Sequence, residues 1–354
     1  MTNYIIRRLL LVPLLLFGVT VLIFLMLQLL SPVERSALYV RDIPKNENAI
    51  TGIIKKYDLD KPVYVQYWNW LVGKVDVATG ERHGGIIYGD FGYSRTASQT
   101  VIDLIKNRFP NTLDLTIWAV FPVISVGIWL GVLAAVHQNG WIDQFARIFS
   151  IVGTSFPTFV FGLLMLMLFY VVLGWFPPGR ISDWANLIIN SGSFHSYTHL
   201  LSFDALLNGR LDIFWDVIKH MVMPILTLSY ISWATFVRVT RSSMLETLHM
   251  EYVVTARAKG LSEDDVINKH AKPNAMIPVI TLAGFQVISL LGGVVITETV
   301  FNFPGIGAAA ANAAAQLDVV TVLGLAIFDG FILILANLVV DVLYAVIDPR
   351  VRLS

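Results

Sequence analysis

Residues 251–262 read Glu-Tyr-Val-Val-Thr-Ala-Arg-Ala-Lys-Gly-Leu-Ser, a polar and charged stretch set between two long apolar runs. Its surroundings make it decisive. Hydrophobic residues are 56% of the 354-residue chain and charged residues 14%, whereas a soluble domain is about one quarter charged. Mean hydropathy is +0.68, so the chain belongs in a lipid bilayer and the stretch is a loop through water. Twenty-five Lys and Arg balance twenty-five Asp and Glu, leaving no basic field for nucleic acid. With no cysteine, disulfides, thiolate metal sites and cysteine nucleophiles are excluded.

Working outward, runs long enough to cross the hydrocarbon, roughly 20 helical residues, predict six spans near Leu9–Leu30, Leu113–Val136, Ile148–Leu173, Val217–Val237, Met276–Thr297 and Val319–Ile347. The first follows Arg7 and Arg8 like a signal peptide. Its apolar run exceeds the roughly 7–15 residues of such a leader and no A-x-A site follows, so it reads as an uncleaved anchor. Six spans place both termini on one side. That side carries Arg7, Arg8, Arg147, Arg238, Arg241, Arg257, Lys259, Lys269, Lys272, Arg350 and Arg352, against Arg180, Arg210 and Lys219 in the two shorter loops opposite. Positive charge gathers inside, which predicts cytoplasmic termini.

Residues 1–354 thus form a single membrane domain with a large extracytoplasmic insertion over 31–110. That insertion carries many basic residues, but loops beyond roughly 60 residues largely escape the charge rule. Apolar spacing predicts a helix over Ile50–Tyr57, Pro62 suits another helix start, and Gly80–Gly92 is turn-rich. A second outer segment, Gly174–Asp216, opens with Trp175 and Phe176, residues suited to the membrane interface. In a third, Glu298–Asp318, a short helix is predicted over Ala308–Gln316; packing under the outer loops is favoured over a gate or a partner surface.

The cytoplasmic loop, 238–275, reads as two short helices around a turn. The first, Arg241–Lys259, has Met244, Leu245, Leu248 and Tyr252 on one stripe, with Arg257 and Lys259 at its negative dipole end. Gly260 fits the left-handed position after a helix. Ser262 followed by Glu263, Asp264 and Asp265 signals the next N-terminus, and Pro273 limits that second helix. A charged loop in a membrane protein is commonly only a solvated connector. Here Ala256-x-Ala258-x-Gly260 offers small residues for close approach, which a docking surface needs.

These residues resemble the membrane subunits of ATP-binding-cassette importers, specifically the B-type permease of the dipeptide/oligopeptide family, whose EAA motif this loop is similar to, with Ala256, Gly260 and Pro273 in register. Val254 stands where the motif has Glu, and His270 and Lys272 where it has Ile and Leu. Further landmarks, in order, are Tyr4–Leu9, Tyr57–Trp68, Gly89–Ser94, Pro304–Gly307 and Asp348-Pro349-Arg350. Ser31-Pro32-Val33-Glu34 departs from a common Pro-Gly-Asp-Pro, and Lys74–Tyr88 is longer than usual.

The resemblance implies an all-α polytopic fold of six transmembrane helices, type I importer-like, in a prokaryotic inner membrane. It implies a heterodimer with a second homologous permease, two cytoplasmic ATP-binding subunits holding ATP and Mg, and an extracytoplasmic solute-binding protein; this chain itself carries no cofactor. Contact with the ATPases falls on Thr255, Ala256, Arg257, Lys259, Gly260 and Glu263. The implied solutes are di- and oligopeptides, with oligosaccharides or nickel as alternatives. A receptor or scaffold that moves no solute is the alternative of another class.

Enzymatic chemistry is absent. No G-x-x-x-x-G-K-[ST] phosphate loop occurs, so ATP hydrolysis resides elsewhere. His195 and His199 share an i, i+4 spacing but lack a neighbouring Glu, which favours surface-loop residues over a metal pair. Asp329 lies mid-way along the last span, where an ionised carboxylate costs several kcal/mol unless it meets water or a partner. It is a translocation-path candidate, and a hydrogen bond to another helix or to Asn337 is an equal alternative. Gly127-x-x-x-Gly131 reads as a helix-packing pattern.

Overall fold

The computed structural model describes residues 2–36, 46–75, 80 and 82–347; the Asp348-Pro349-Arg350 landmark lies outside them. Helix dominates because hydrocarbon offers backbone N–H and C=O groups no water partners, so each spanning segment must pair its own. Helix α1 (Thr2–Leu27) is followed by α2 (Pro32–Arg35), α3 (Glu47–Lys56) and α4 (Val63–Val72). Two antiparallel ribbons come next, β1 (Lys74–Val75) with β2 (Arg82–His83), and β3 (Tyr93–Ser94) with β4 (Gln99–Thr100). The long α5 (Val101–Val136) leads to α6 (Trp141–Ser155) and α7 (Thr158–Met165), which continues in wider π-type turns to Val172. Then come α8 (Asp183–Ile189), α9 (Leu201–Leu207), the 38-residue α10 (Leu211–Leu248) and α11 (Glu251–Ala258). The chain ends through α12 (Glu263–Asp265), α13 (Lys272–Ala275), α14 (Ile277–Leu291), α15 (Val295–Val300), α16 (Ile306–Ala315) and α17 (Val319–Ile347).

Among the described residues, α1, α5, α10 and α17 are each long and apolar enough to cross a bilayer; two bent pairs raise the number to six if each is one span. One pair corrects the expected straight span Ile148–Leu173. Helix α6 and the α7 run meet at 104°. Pro157 disfavours helical geometry in the residue before it, and Phe156 is accordingly extended, with φ −92° and ψ 128°. The other pair, Glu263–Ala275 with Ile277–Leu291, bends by 53°.

The chain divides into two compact units, the first 1–110 with 305–339, the second 111–304 with 340–354. In the first, Ile23, Phe24 and Leu27 of α1 pack with Trp70 of α4 and Ile327 of α17. Phe24 meets Tyr67 edge to face at 5.2 Å, and Tyr67 shares a 2.9 Å hydrogen bond with Thr20. The aromatic run after Pro62 thus covers the end of the first span. Ser31 caps α2 in a reciprocal box with Glu34, which gives the departure from Pro-Gly-Asp-Pro a defined turn.

Asp318 fastens the insertion to the last span. Its Oδ2 accepts from the Thr96 amide at 3.0 Å, Thr96 Oγ1 at 2.5 Å and Thr321 Oγ1 at 2.7 Å, while Oδ1 accepts from the Thr321 amide at 3.3 Å, the geometry of an N-cap on α17. Burial alone would raise this carboxyl, but the Thr96 and Thr321 bonds hold it below the usual carboxylate range. A lowered carboxyl contributes stability above its unfolded range and loses it as pH falls through the folded value. Asp318→Ala is expected to cost about 1–2 kcal/mol, read as faster limited proteolysis of the 82–100 segment; unchanged cleavage would contradict it.

In the second unit α10 is the central post. A Cβ on Gly127 would stand 2.5 Å from the Phe236 Cβ, and one on Gly131 2.5 Å from the Thr240 Cβ. The G-x-x-x-G pattern therefore packs α5 on α10. Ala134, Ala146 and Val237 join α5, α6 and α10 on the same principle. Leu115, Ala185, Leu201, Ile213, Met221 and Phe303 form a further cluster, which packs the Gly174–Asp216 segment on α5 and α10.

Candidate functional site

The loop after α10 is built from two helical pieces clasping a small core. Helix α10 stops at Leu248, and His249 and Met250 separate it from α11, which corrects the single helix expected over Arg241–Lys259. Met250 is extended, with φ −68° and ψ 145°. The break turns Val253 and Ala256 onto Val266 and Ala271, all four buried, with Leu248 beside them. Met244 and Ala275 form an adjoining cluster with Ala135.

Gly260 has φ +80°, and a Cβ there would meet nothing within 4 Å. Its glycine is thus required by backbone conformation and not by crowding inside this chain. Ser262 then caps the next helix, its Oγ accepting from the Asp265 amide at 3.2 Å. The helical run ends at Ala275, two residues beyond Pro273. Wider π-type turns over Val266–Ala271 precede Pro273, which occupies the first turn of α13, a position where a missing N–H costs least.

The expected contact residues fall in three places. Ala256 is inside the core, 5% exposed; its small size lets α11 close on Val266 and Ala271. Arg257 and Glu263 hold one another across the turn, Nη2 to Oε1 at 2.7 Å and Nε to Oε2 at 3.1 Å, and Arg257 Nη1 also reaches the Leu248 carbonyl at 3.3 Å. The guanidinium holds the Glu263 carboxyl below its usual range, and the carboxylate raises Arg257. Thr255, Lys259 and Gly260 are exposed, with Thr255 Oγ1 bonded back to the Glu251 carbonyl at 2.8 Å. Around them Tyr252, Val254 and Leu261 are 43%, 53% and 41% exposed. These exposed apolar side chains and Lys259 stand around a turn braced by the Arg257–Glu263 pair.

Two further positions complete the picture. Asp329 is half-buried on α17 and engaged within the chain, and its neighbour Gly330 lies so close to α1 that a Cβ would stand 2.9 Å from Val19 Cγ1. Asp143, which the sequence reading passed over, is fully buried at the start of α6. It accepts from Arg241 at 2.5 and 2.9 Å, Arg147 at 2.7 Å and the Asn139 amide at 2.9 Å. Asp143 and Arg147 are i, i+4 on one helix, the signal that was available; Arg241 is brought in only by the fold. Among the described residues no group of three His, Cys, Asp or Glu side chains could hold a metal ion.

Residues 127–353 match the family described as binding-protein-dependent transport system inner membrane component, and residues 1–116 match its N-terminal membrane-component companion. The chain belongs to this family. Its membership makes it a multi-pass membrane component of a transport system that depends on a binding protein. The probable D,D-dipeptide transport system permease DdpB of Escherichia coli K12 is 36% identical over 94% of this chain and 93% of its own length. The oligopeptide transport system permease AppB of Bacillus subtilis 168 is 35% identical over 99% of this chain and all of its own. A solved structure of the MetNI methionine ABC transporter, inward-facing, aligns with 69% of this chain and 96% of its own at 18% identity and a TM-score of 0.46.

Proposed function

We propose that the chain is the B-type permease of an ATP-driven importer of di- or oligopeptides, pairing with a second, similar permease, two cytoplasmic ATP-binding subunits and an extracytoplasmic binding protein. The observation that carries this is continuous similarity over almost the whole chain to permeases named for dipeptides and oligopeptides. Both termini and the loop 238–275 lie in the cytoplasm and 31–110 outside, as the Lys and Arg distribution supports. ATP and Mg stay with the partner subunits. The docking element is 251–265, where Tyr252, Val254, Lys259 and Leu261 meet the ATPase while Arg257 and Glu263 brace the turn from within. ATPase closure pulls this element and rocks the helix bundle between inward- and outward-facing states.

The test is uptake by the reconstituted complex with its binding protein. ATP-dependent accumulation of labelled di- or tetrapeptides, but not of nickel or an oligosaccharide, is expected; binding without accumulation would make the chain a receptor. Asp329 is assigned to the translocation path. Asp329→Leu should lower uptake at least about tenfold, the effect of 1.4 kcal/mol or more on an intramembrane charge site, with membrane abundance nearly unchanged. Equal losses of both would give Asp329 a packing role instead.

A further inference from the structure

We propose that the groove between α6 and α10 binds the phosphate-bearing headgroup of an anionic phospholipid of the inner leaflet, which rests on the cytoplasmic placement of this end of the bundle. The groove has a volume of about 340 Å³ and is lined by Arg147, Ser150, Ile151 and Thr154 from α6 and Arg238 and Arg241 from α10. Three guanidiniums therefore converge on one pocket. Among the described residues one carboxylate, Asp143, pairs with them, and it is committed to Arg147 and Arg241 by the bonds described above. Arg238 is exposed, and among the described residues no carboxylate pairs with it. The pocket keeps an excess of positive charge, with two guanidiniums held in place and a third available to a ligand.

Depth and surroundings favour an amphiphile over a free anion. Arg238 directly follows the apolar stretch Val217–Val237, so on the proposed orientation the pocket falls at the headgroup level, where basic pockets between helices take anionic lipids. Beside it, α6 presents Trp141, Phe145, Ile148 and Ile151, which are 79%, 58%, 61% and 66% exposed. These positions fall on one helical stripe, an apolar surface that acyl chains would cover while the phosphate sits in the groove. Ile151 belongs to both and joins them.

The purified complex containing this chain, in nanodiscs of mixed phosphatidylglycerol and phosphatidylcholine, is expected to retain phosphatidylglycerol selectively by native mass spectrometry. Arg238→Gln should weaken that retention about fivefold, the share of one basic side chain near an anionic surface, and Arg238→Lys should restore most of it. Because Arg238 is exposed and unpaired by carboxylate, neither change should unfold the chain. Unchanged retention in Arg238→Gln would overturn the proposal. Displacement of the lipid by inorganic phosphate would overturn it in favour of a free-anion site, and loss of the second permease with unchanged lipid in favour of a protein interface. The chain lacks cysteine, so in intact cells labelling of Gln138→Cys, exposed in the turn between α5 and α6, by an impermeant thiol reagent reports sidedness separately. Labelling only from outside, with lipid retention still sensitive to Arg238, would overturn the inner-leaflet assignment and the orientation while leaving the groove's chemistry standing.

Discussion

Replacing Gly260 with arginine is expected to cut transport and substrate-stimulated ATP hydrolysis roughly thirtyfold or more, with the chain still in the membrane beside its second permease. The added side chain meets nothing within its own chain, since space around the Gly260 Cβ is open. Its internal cost is that of a left-handed backbone at φ +80°, about 1–2 kcal/mol for a residue with a Cβ. On the proposed docking, the larger cost falls where the ATPase covers the turn. Burying an unmatched charge there removes about 2 kcal/mol or more of docking free energy, roughly thirtyfold. Two companion variants separate the terms. Gly260→Ala carries the backbone strain alone, and Gly260→Asn tolerates the left-handed region better. Both should retain most activity, while normal transport and stimulated hydrolysis in Gly260→Arg would remove the docking assignment.

The second large effect is expected at Asp143. Its buried carboxylate gathers Arg147 of α6 and Arg241 of α10, so Asp143→Asn leaves two guanidiniums close together without a counter-charge. Removing one partner of a buried ion pair typically costs 3–5 kcal/mol. Because Arg147 and Arg241 keep 41% and 21% exposure, water relieves part of that repulsion and the loss should lie near 3 kcal/mol, the lower end of that range. Denaturation of the detergent-solubilised chain and its membrane abundance would both register it. Arg241→Gln in the Asp143→Asn background should recover part of the loss, and a strictly additive double variant would show that the carboxylate does not act through Arg241.

Much of the bundle is legible in the residues themselves. Apolar runs announce the spans because the bilayer forces long, self-paired helices, and Gly127-x-x-x-Gly131 announces a close helix contact. Gly260 and Ser262 mark the turn of the 238–275 loop because left-handed backbone and N-capping each depend on residue type. What the sequence hides is set by partners far along the chain. The helix periodicity running through Met244, Leu248 and Tyr252 masks the break at His249 and Met250, which exists because Val253 and Ala256 turn onto Val266 and Ala271. The bend at Phe156 and Pro157 was available in the X-Pro pair and was overridden by hydropathy. Arg257 and Glu263 read equally well as partner contacts or as partners of each other; only the fold brings their side chains to 2.7 Å.

The uninterrupted run of α10 has one more consequence. At 38 residues and 1.5 Å per residue it is about 57 Å long, nearly twice the hydrocarbon thickness of about 30 Å. It begins at Leu211, after α9, and ends at the break before α11, so one element reaches well beyond any single crossing. Were it to tilt as a rigid rod, about 10° about one end would carry the other by roughly 10 Å over that length, which ties the turn before α11 to the segment around Leu211 through a single element.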